Sequence, residues 1–264
     1  MKIGIIGSAG VVGNACKEGF KSIGNEVIEH DLVLNSTIDD VLKAEIIYIA
    51  VPSPSKKDGS CDTSIVENLI DDLSKKEFSG VIAIKSTVEP GSTKRLINKH
   101  SKKICFVPEF LKERSAKEDF INHGTLIIGS KDDDTIKAVI KSHGKLPEKT
   151  ISMDPTEAEM VKYFHNVFNA MRVVFANEIF EICQNESIDY ENVLLGALER
   201  NDYSDSYLKV NKDLRGYAGV CLPKDTKALA AYCKLNNLPL NLFKNIDESN
   251  ERLKKTVFEN MRKS

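Results

Sequence analysis

The chain has 264 residues, with 37 basic and 39 acidic side chains and a formal net charge of −2. That balance gives no reason to expect a nucleic-acid or membrane partner, and no apolar run approaches membrane-spanning length. The length suits one large domain or two medium ones. Six cysteines, at 16, 61, 105, 183, 221 and 233, show no C-x-x-C and no regular spacing. Free thiols in a reducing compartment are expected, not a disulfide framework. The five histidines (30, 100, 123, 143 and 165) never cluster, so no zinc site is expected. The apolar stretch from Ile3 to Ile6 runs straight into a Gly-rich turn without a signal-peptide pattern, and a cytoplasmic location is expected.

The first half alternates strands and helices. Lys2 to Gly7 reads as a buried strand, followed by Gly7-Ser8-Ala9-Gly10-Val11-Val12-Gly13 and a helix to about Gly24. Further strands are expected at Glu26 to Asp31, Glu45 to Val51, Gly80 to Lys85, Lys103 to Val107 and Thr125 to Gly129. Near-continuous apolar strands between helical patterns predict an α/β fold with a doubly wound parallel sheet, covered on both faces. From Asp154 the character changes. Asp154-Pro155-Thr156-Glu157 carries a cap, a first-turn Pro and a Glu three residues on. An apolar-periodic stretch without Pro or Gly then runs from Ala158 to about Gln184. At about 1.5 Å per residue such a helix is roughly 45 Å long, too long for one small domain to cover. Its apolar residues Val161, Phe164, Phe168, Met171, Val174, Phe175, Ile179 and Ile182 predict a homodimer seam. More helices are expected at about Tyr190–Leu198, Thr226–Leu235 and Leu240–Arg262, which sets two domains, 1–150 and 151–264.

A strand, a Gly turn and a helix N-terminus offer backbone N–H groups and a positive dipole end to a pyrophosphate. The spacing here is G-x-x-G-x-x-G; in the usual frame Ser8 takes the first Gly position, with Gly10 and Gly13 as second and third. Asp31 ends the second strand 18 residues after Gly13, where a carboxylate binds ribose hydroxyls and repels a 2′-phosphate. NAD is therefore expected over NADP. The bland alternative is a tight turn with no ligand.

Four more segments lie at or beyond expected strand ends, where such a sheet binds ligands. They are Val51-Pro52-Ser53-Pro54, Ser86 to Thr93, Val107 to Glu113, and Glu157 to Asn166. Each has an ordinary reading: Pro-rich strand exits, a helix cap at Ser92, a surface helix. Lys162 and Asn166 share a helix face as an i,i+4 pair, which on a helix with so much apolar surface is more often solvated than catalytic. The run Gly219-Val220-Cys221-Leu222-Pro223-Lys224-Asp225 sets a thiol ahead of a Lys and an Asp. An ammonium nearby favours the nucleophilic thiolate; the alternative is a buried Cys, with Asp225 capping the next helix.

Taken in order, the VPSP, STVEPGST, PEFL, EAE-x-x-K-x-x-x-N and G-x-CLPKD segments resemble the UDP-glucose/GDP-mannose dehydrogenase family, from Met1 to about Arg262. The resemblance implies a Rossmann-like NAD-binding domain and an all-helical central, dimerising domain. It also implies oxidation of the primary alcohol of a nucleotide sugar to a uronic acid, in two NAD-dependent steps. Cys221 would then be the nucleophile toward the aldehyde, Lys162 and Asn166 would stabilise the oxyanion, and Glu109 would be a base for thioester hydrolysis. Thr87 would orient water, and Asp225 would position water and tune Lys162. Cofactor contacts are implied at Gly7, Ser8, Gly10, Val11, Val12, Gly13, Asp31, Val51, Pro52, Ser86, Thr87 and Lys224. Sugar-nucleotide contacts are implied at Glu109, Phe110, Leu111, Lys112, Lys162, Asn166, Lys209, Tyr217 and Gly219.

There are departures. The family's C-terminal nucleotide-binding domain is expected to be absent, which leaves open whether a separate chain supplies it. Val107 stands for the usual Asn before Pro-Glu-Phe, Ala218 for the first Gly of G-G-x-C, and an Arg is missing from Asn122 to Thr125. Two alternatives remain: a β-hydroxyacid dehydrogenase, which has no use for a nucleophilic Cys, and a non-catalytic NAD-binding or partner-binding remnant.

Overall fold

The computed structural model describes residues 1–122, 124–200 and 204–253. The end of the helix expected to reach Arg262, and His123, lie outside the described residues. The chain divides into two compact units: Met1–Pro54 with Cys61–Lys162, and Ser55–Ser60 with the chain from Tyr163 onward.

Unit one is built on a seven-stranded sheet of order β2-β1-β3-β4-β5-β6-β7. Its strands are β1 (Lys2–Ile6), β2 (Glu26–His30), β3 (Ile46–Ile49), β4 (Val81–Ile84), β5 (Ile104–Phe106), β6 (Thr125–Gly129) and β7 (Lys149–Met153). The helices between them are α1 (Val11–Ser22), α2 (Ile38–Val41), α3 (Ser64–Lys75), α4 (Ser92–His100), α5 (Ala116–Ile121) and α6 (Asp133–His143). Why β3 is apolar at every position follows from the two faces it separates. Ile46 and Tyr48 face a cluster with Cys16 and Phe20 of α1, Phe120 of α5 and Val139 of α6. Ile47 and Ile49 face the opposite cluster, with Val66, Ile70 and Leu73 of α3 and Leu96 of α4. All four β3 side chains are fully buried, and truncating any one to Ala would cost about 2–5 kcal/mol.

The sheet is parallel except at one junction. β5 and β6 meet antiparallel through a single register pair, Phe106 with Gly129, and β6 then pairs parallel with β7. The expected doubly wound parallel sheet is present, with this one antiparallel junction. Strand order reverses between β2-β1 and β3, so the crevice beyond the carboxyl ends of β1 and β3 is a topological switch point.

α7 (Pro155–Asn185) is one 31-residue helix whose first residues belong to unit one and the rest to unit two. Asp154 and Glu157 satisfy its start reciprocally: the Thr156 N–H donates to Asp154 Oδ1 (3.0 Å) and the Asp154 N–H to Glu157 Oε2 (2.8 Å). In unit two, Ala176, Phe180 and Cys183 of α7 form a core with Tyr190 of α8 (Tyr190–Leu198) and with Leu208 and Val210. α9 (Cys221–Leu235) and α10 (Leu242–Arg252) complete that unit, starting five residues earlier and two later, respectively, than the sequence suggests. No helix among the described residues is long and apolar enough to cross a membrane.

Candidate functional site

The Gly-rich turn joins β1 to α1. Gly7 adopts φ 87°, and a Cβ there would sit 2.5 Å from the Ala50 carbonyl oxygen; at Gly13 it would sit 2.0 Å from the Gly7 carbonyl oxygen. Gly7, not Ser8, therefore makes the tight turn, and Gly13 lets α1 close onto it. Ser8 is instead fully buried, its hydroxyl 3.4 Å from the His30 carbonyl oxygen. Gly10 is the N-cap of α1 and no acidic residue occupies the first turn. The N–H groups of Val11, Val12 and Gly13 thus open the helix without intrahelical partners and without a competing carboxylate. Asp31, just past β2, accepts the Ala9 N–H through Oδ2 (3.0 Å) and the Val33 N–H through Oδ1 (3.2 Å). These residues fit a dinucleotide: a cradle that a Cβ would fill, free helix N–H groups and a carboxylate at its rim.

Other predicted positions in unit one follow the carboxyl ends of β3, β4 and β5. Val51 and Pro52 leave β3, and the Ser86 hydroxyl, past β4, donates to the Val51 carbonyl at 2.7 Å. Thr87 is buried, and its carbonyl accepts from the Cys61 thiol at 3.5 Å. The expected cap at Ser92 is corrected: Gly91 holds that place, and Ser92 is the first residue of α4. Glu109, past β5, is buried. Its Oε1 takes a 3.0 Å bond from Lys162 Nζ, its Oε2 the Leu111 N–H at 2.8 Å, and its carbonyl a second bond from Lys162. Burial pushes the Glu109 carboxyl up, but Lys162, the Leu111 N–H and Lys85 outweigh it and hold the group below the ordinary carboxylate value. The Phe110 ring lies 5.5 Å from Lys162 Nζ. Lys112 is exposed, its N–H bonded to Asp119 at 2.8 Å.

Lys162 is buried, so the solvated reading of this helix face does not hold. Two of its three ammonium protons go to Glu109, one to the carboxylate and one to the backbone carbonyl. Sequence reasoning passed over Lys85, which is buried before Ser86 with Nζ 3.4 Å from the Val107 carbonyl oxygen. It lines a small pocket together with Glu109, Phe110 and Leu111. Its signal was a charged residue ending a strand buried on both faces.

In unit two, Cys221 is the first residue of α9, with Val220 as N-cap. It is exposed, whereas the other five cysteines are buried. Burial pushes Cys16 to about 11 and Cys105 to about 12. Asp225 does not cap the helix; it lies one turn in, fully buried, accepting from Asn166 Nδ2 (2.6 Å) and Lys224 Nζ (2.7 Å). Asn166 is buried as well. Lys224 is thus committed to a carboxylate. Tyr217, four residues before the thiol, is buried, and Asn250 brackets its backbone, accepting its N–H (2.8 Å) and donating to its carbonyl (2.9 Å). Gly219 adopts φ 82°. Lys209 is exposed and paired with Asp205 at 3.3 Å.

Residues 29–146 match the NAD-binding domain of the UDP-glucose/GDP-mannose dehydrogenase family, and residues 156–252 its central domain. A UDP-glucose 6-dehydrogenase of Campylobacter jejuni is 36% identical over 224 residues, which are 81% of this chain and 54% of that protein. One from Bacillus subtilis is 31% identical over 241 residues, 87% of this chain and 51% of that protein. The chain spans about half the length of these curated relatives. A solved UDP-glucose dehydrogenase from Pyrobaculum islandicum superposes with a TM-score of 0.87 at 25% identity, covering 95% of this chain and 68% of that one. The chain belongs to the UDP-glucose/GDP-mannose dehydrogenase family, of which it carries the NAD-binding and central domains.

Proposed function

We propose that this chain carries out the NAD-dependent oxidation of a nucleotide sugar of the UDP-glucose kind, converting its primary alcohol to a carboxylate through a covalent thioester on Cys221. The observation that carries the reading is the thiol itself. Of six cysteines only Cys221 is exposed, and it opens a helix whose N-terminal dipole end favours a thiolate. A β-hydroxyacid dehydrogenase has no use for such a group.

The Gly7–Gly13 turn, Asp31, Val51, Pro52, Ser86, Thr87 and Lys224 would hold NAD, which would supply a hydride acceptor. The chain's residues then divide the work. Transfer of the first hydride to that acceptor and of the hydroxyl proton to water leaves an aldehyde, and the Cys221 sulfur adds to its carbon. Lys162 and Asn166 stabilise the oxygen that becomes negative. Loss of the second hydride turns the thiohemiacetal into a thioester. Water, oriented by Thr87 and Asp225 and relieved of a proton by Glu109, cleaves the thioester and releases the thiol and the acid. Glu109 is ionised at neutral pH, so it is ready to accept that proton; its lowered pKa makes it a modest base. Phe110, Leu111, Lys112, Lys209, Tyr217 and Gly219 are assigned to sugar-nucleotide contacts.

The working form is proposed to be a homodimer. Phe164, Phe168, Phe175 and Ile182 are exposed along α7, which supports a self-complementary seam. Val174 of the same stretch is buried, and Ile179 packs against unit two's own core. The test of function is NADH formation on a panel of UDP- and GDP-sugars. Two NADH per sugar acid is the expected result, one NADH with an aldehyde product refutes the thioester, and none on any sugar refutes the activity.

A further inference from the structure

We propose that Glu159 is a positioning residue that sets the loop carrying Thr87. The proposal rests on the reading of Thr87 as part of the reaction. Glu159 sits on α7 and is fully buried. Its carboxylate accepts the Gly91 N–H at 2.6 Å and the Thr93 N–H at 2.7 Å, from a helix 66 to 68 residues away in sequence. Those donors open α4, whose N-cap Gly91 has no side chain to satisfy them and holds φ 92°. A carboxylate removed from water is costly unless hydrogen bonds replace its hydration. Two backbone N–H groups at the positive end of α4 offset that cost in part, and burial still holds the Glu159 carboxyl above its ordinary value.

Ordinary capping needs only a Ser or Asn at position 91. A cap supplied by α7 does more, because Glu159 and Lys162 lie three residues apart on one turn. Lys162 holds the loop after β5 through Glu109, and Glu159 holds the loop after β4. The Thr87 loop is thereby pinned at both ends: the Ser86 hydroxyl bonds Val51, and Gly91 and Thr93 bond Glu159. One turn of α7 thus fixes the spacing between Thr87 and the Glu109–Lys162 pair.

The experiment compares the parent chain with Glu159→Gln, which keeps the shape but meets one N–H with a donor. Amide hydrogen exchange over 86–93 and steady-state NADH formation are measured together. The expected result is exchange at Gly91 and Thr93 faster by roughly tenfold or more, the equivalent of one charged hydrogen bond. With it, kcat should fall by about tenfold while KM for the sugar changes little. In a Thr87→Val background, Glu159→Gln should lower kcat no further, since it acts through that loop. Unchanged exchange, unchanged kcat, or a kcat loss fully additive with Thr87→Val would each overturn the proposal. Should Glu159→Gln fail to fold, Glu159→Asp, which keeps the charge but shortens the reach, is read by the same outcomes. A parent that makes no NADH refutes the proposed activity alone. Exchange then decides for Glu159: protection lost over 86–93 supports it and protection unchanged overturns it.

Discussion

Replacing Lys162 by Met removes one partner of a buried ion pair and leaves the other in place. The side chains of Lys162 and Glu109 are only 5% and 10% exposed, and Nζ meets Oε1 at 3.0 Å. Stranding a buried charge in this way costs about 3–5 kcal/mol. The lower end applies, because Glu109 keeps the Leu111 N–H and the field of Lys85. The sign of the pH dependence also inverts. In the parent, Glu109 lies below its ordinary value of 4.5, so its stabilising share is complete above that pH and is lost on acidification. Without Lys162 burial prevails, the folded carboxyl rises, and its contribution is retained at low pH and lost as pH increases through the raised value. The gap in unfolding free energy between parent and Lys162→Met should be about 3 kcal/mol at pH 7 and shrink toward pH 4. Urea unfolding at a series of pH values, followed by circular dichroism, measures it. Adding Glu109→Gln to Lys162→Met should recover part of the loss at pH 7. A gap below about 1 kcal/mol, or one independent of pH, would mean that the pair is solvated and that the site is built otherwise.

Iodoacetamide at neutral pH should label Cys221 well before the other five, whose burial blocks access; labelling led by another cysteine would count against the nucleophile. Cys221→Ala should abolish acid formation and leave NAD binding intact, as read by product analysis and calorimetry. NAD should bind ahead of NADP, with Asp31→Ala narrowing the gap, and equal affinities in the parent chain would remove the cofactor assignment. Light scattering at micromolar concentration should report a dimer that Phe168→Glu with Phe175→Glu converts to monomer; a monomeric parent rejects the α7 seam.

Strands buried on both faces announce themselves, and β1 through β6 were legible for that reason. β7 was not: Lys149-Thr150-Ile151-Ser152-Met153 is a half-exposed edge strand whose polar residues face water. Nor does a strand's composition state its direction, so the antiparallel β5–β6 junction, which rests on one register pair, left no trace. α9 starts five residues before Thr226, where its apolar pattern opens, and takes Pro223 into its first turn, where Pro is tolerated. The alternative reading of Asp225 as a cap fails with that earlier start, since it is the buried acceptor of Asn166 and Lys224. Ordered motifs brought Thr87, Glu109, Lys162, Asn166 and Cys221 forward together. What motifs could not express was the bonding between them. Glu159 stood in the same EAE segment unassigned, because its partners are backbone N–H groups that no side-chain pattern encodes.

Asp31 has a consequence for redesign of cofactor preference. Its two oxygens already hold the Ala9 and Val33 N–H groups. The carboxylate assigned to the ribose is therefore also one of the tethers of the phosphate loop at the end of β2, beside the Gly7 and Ser8 N–H groups on the His30 carbonyl. A swap to Ser or Arg meant to admit a 2′-phosphate would remove the Ala9 tether in the same stroke and leave the loop on its His30 bonds alone. Variants that exchange preference without losing affinity must keep an acceptor for the Ala9 N–H at position 31, as Asn does. The new positive charge must then enter from the exposed neighbours Leu32 or Val33. Discrimination and loop order are one property here, and evolution toward NADP would need two changes made together.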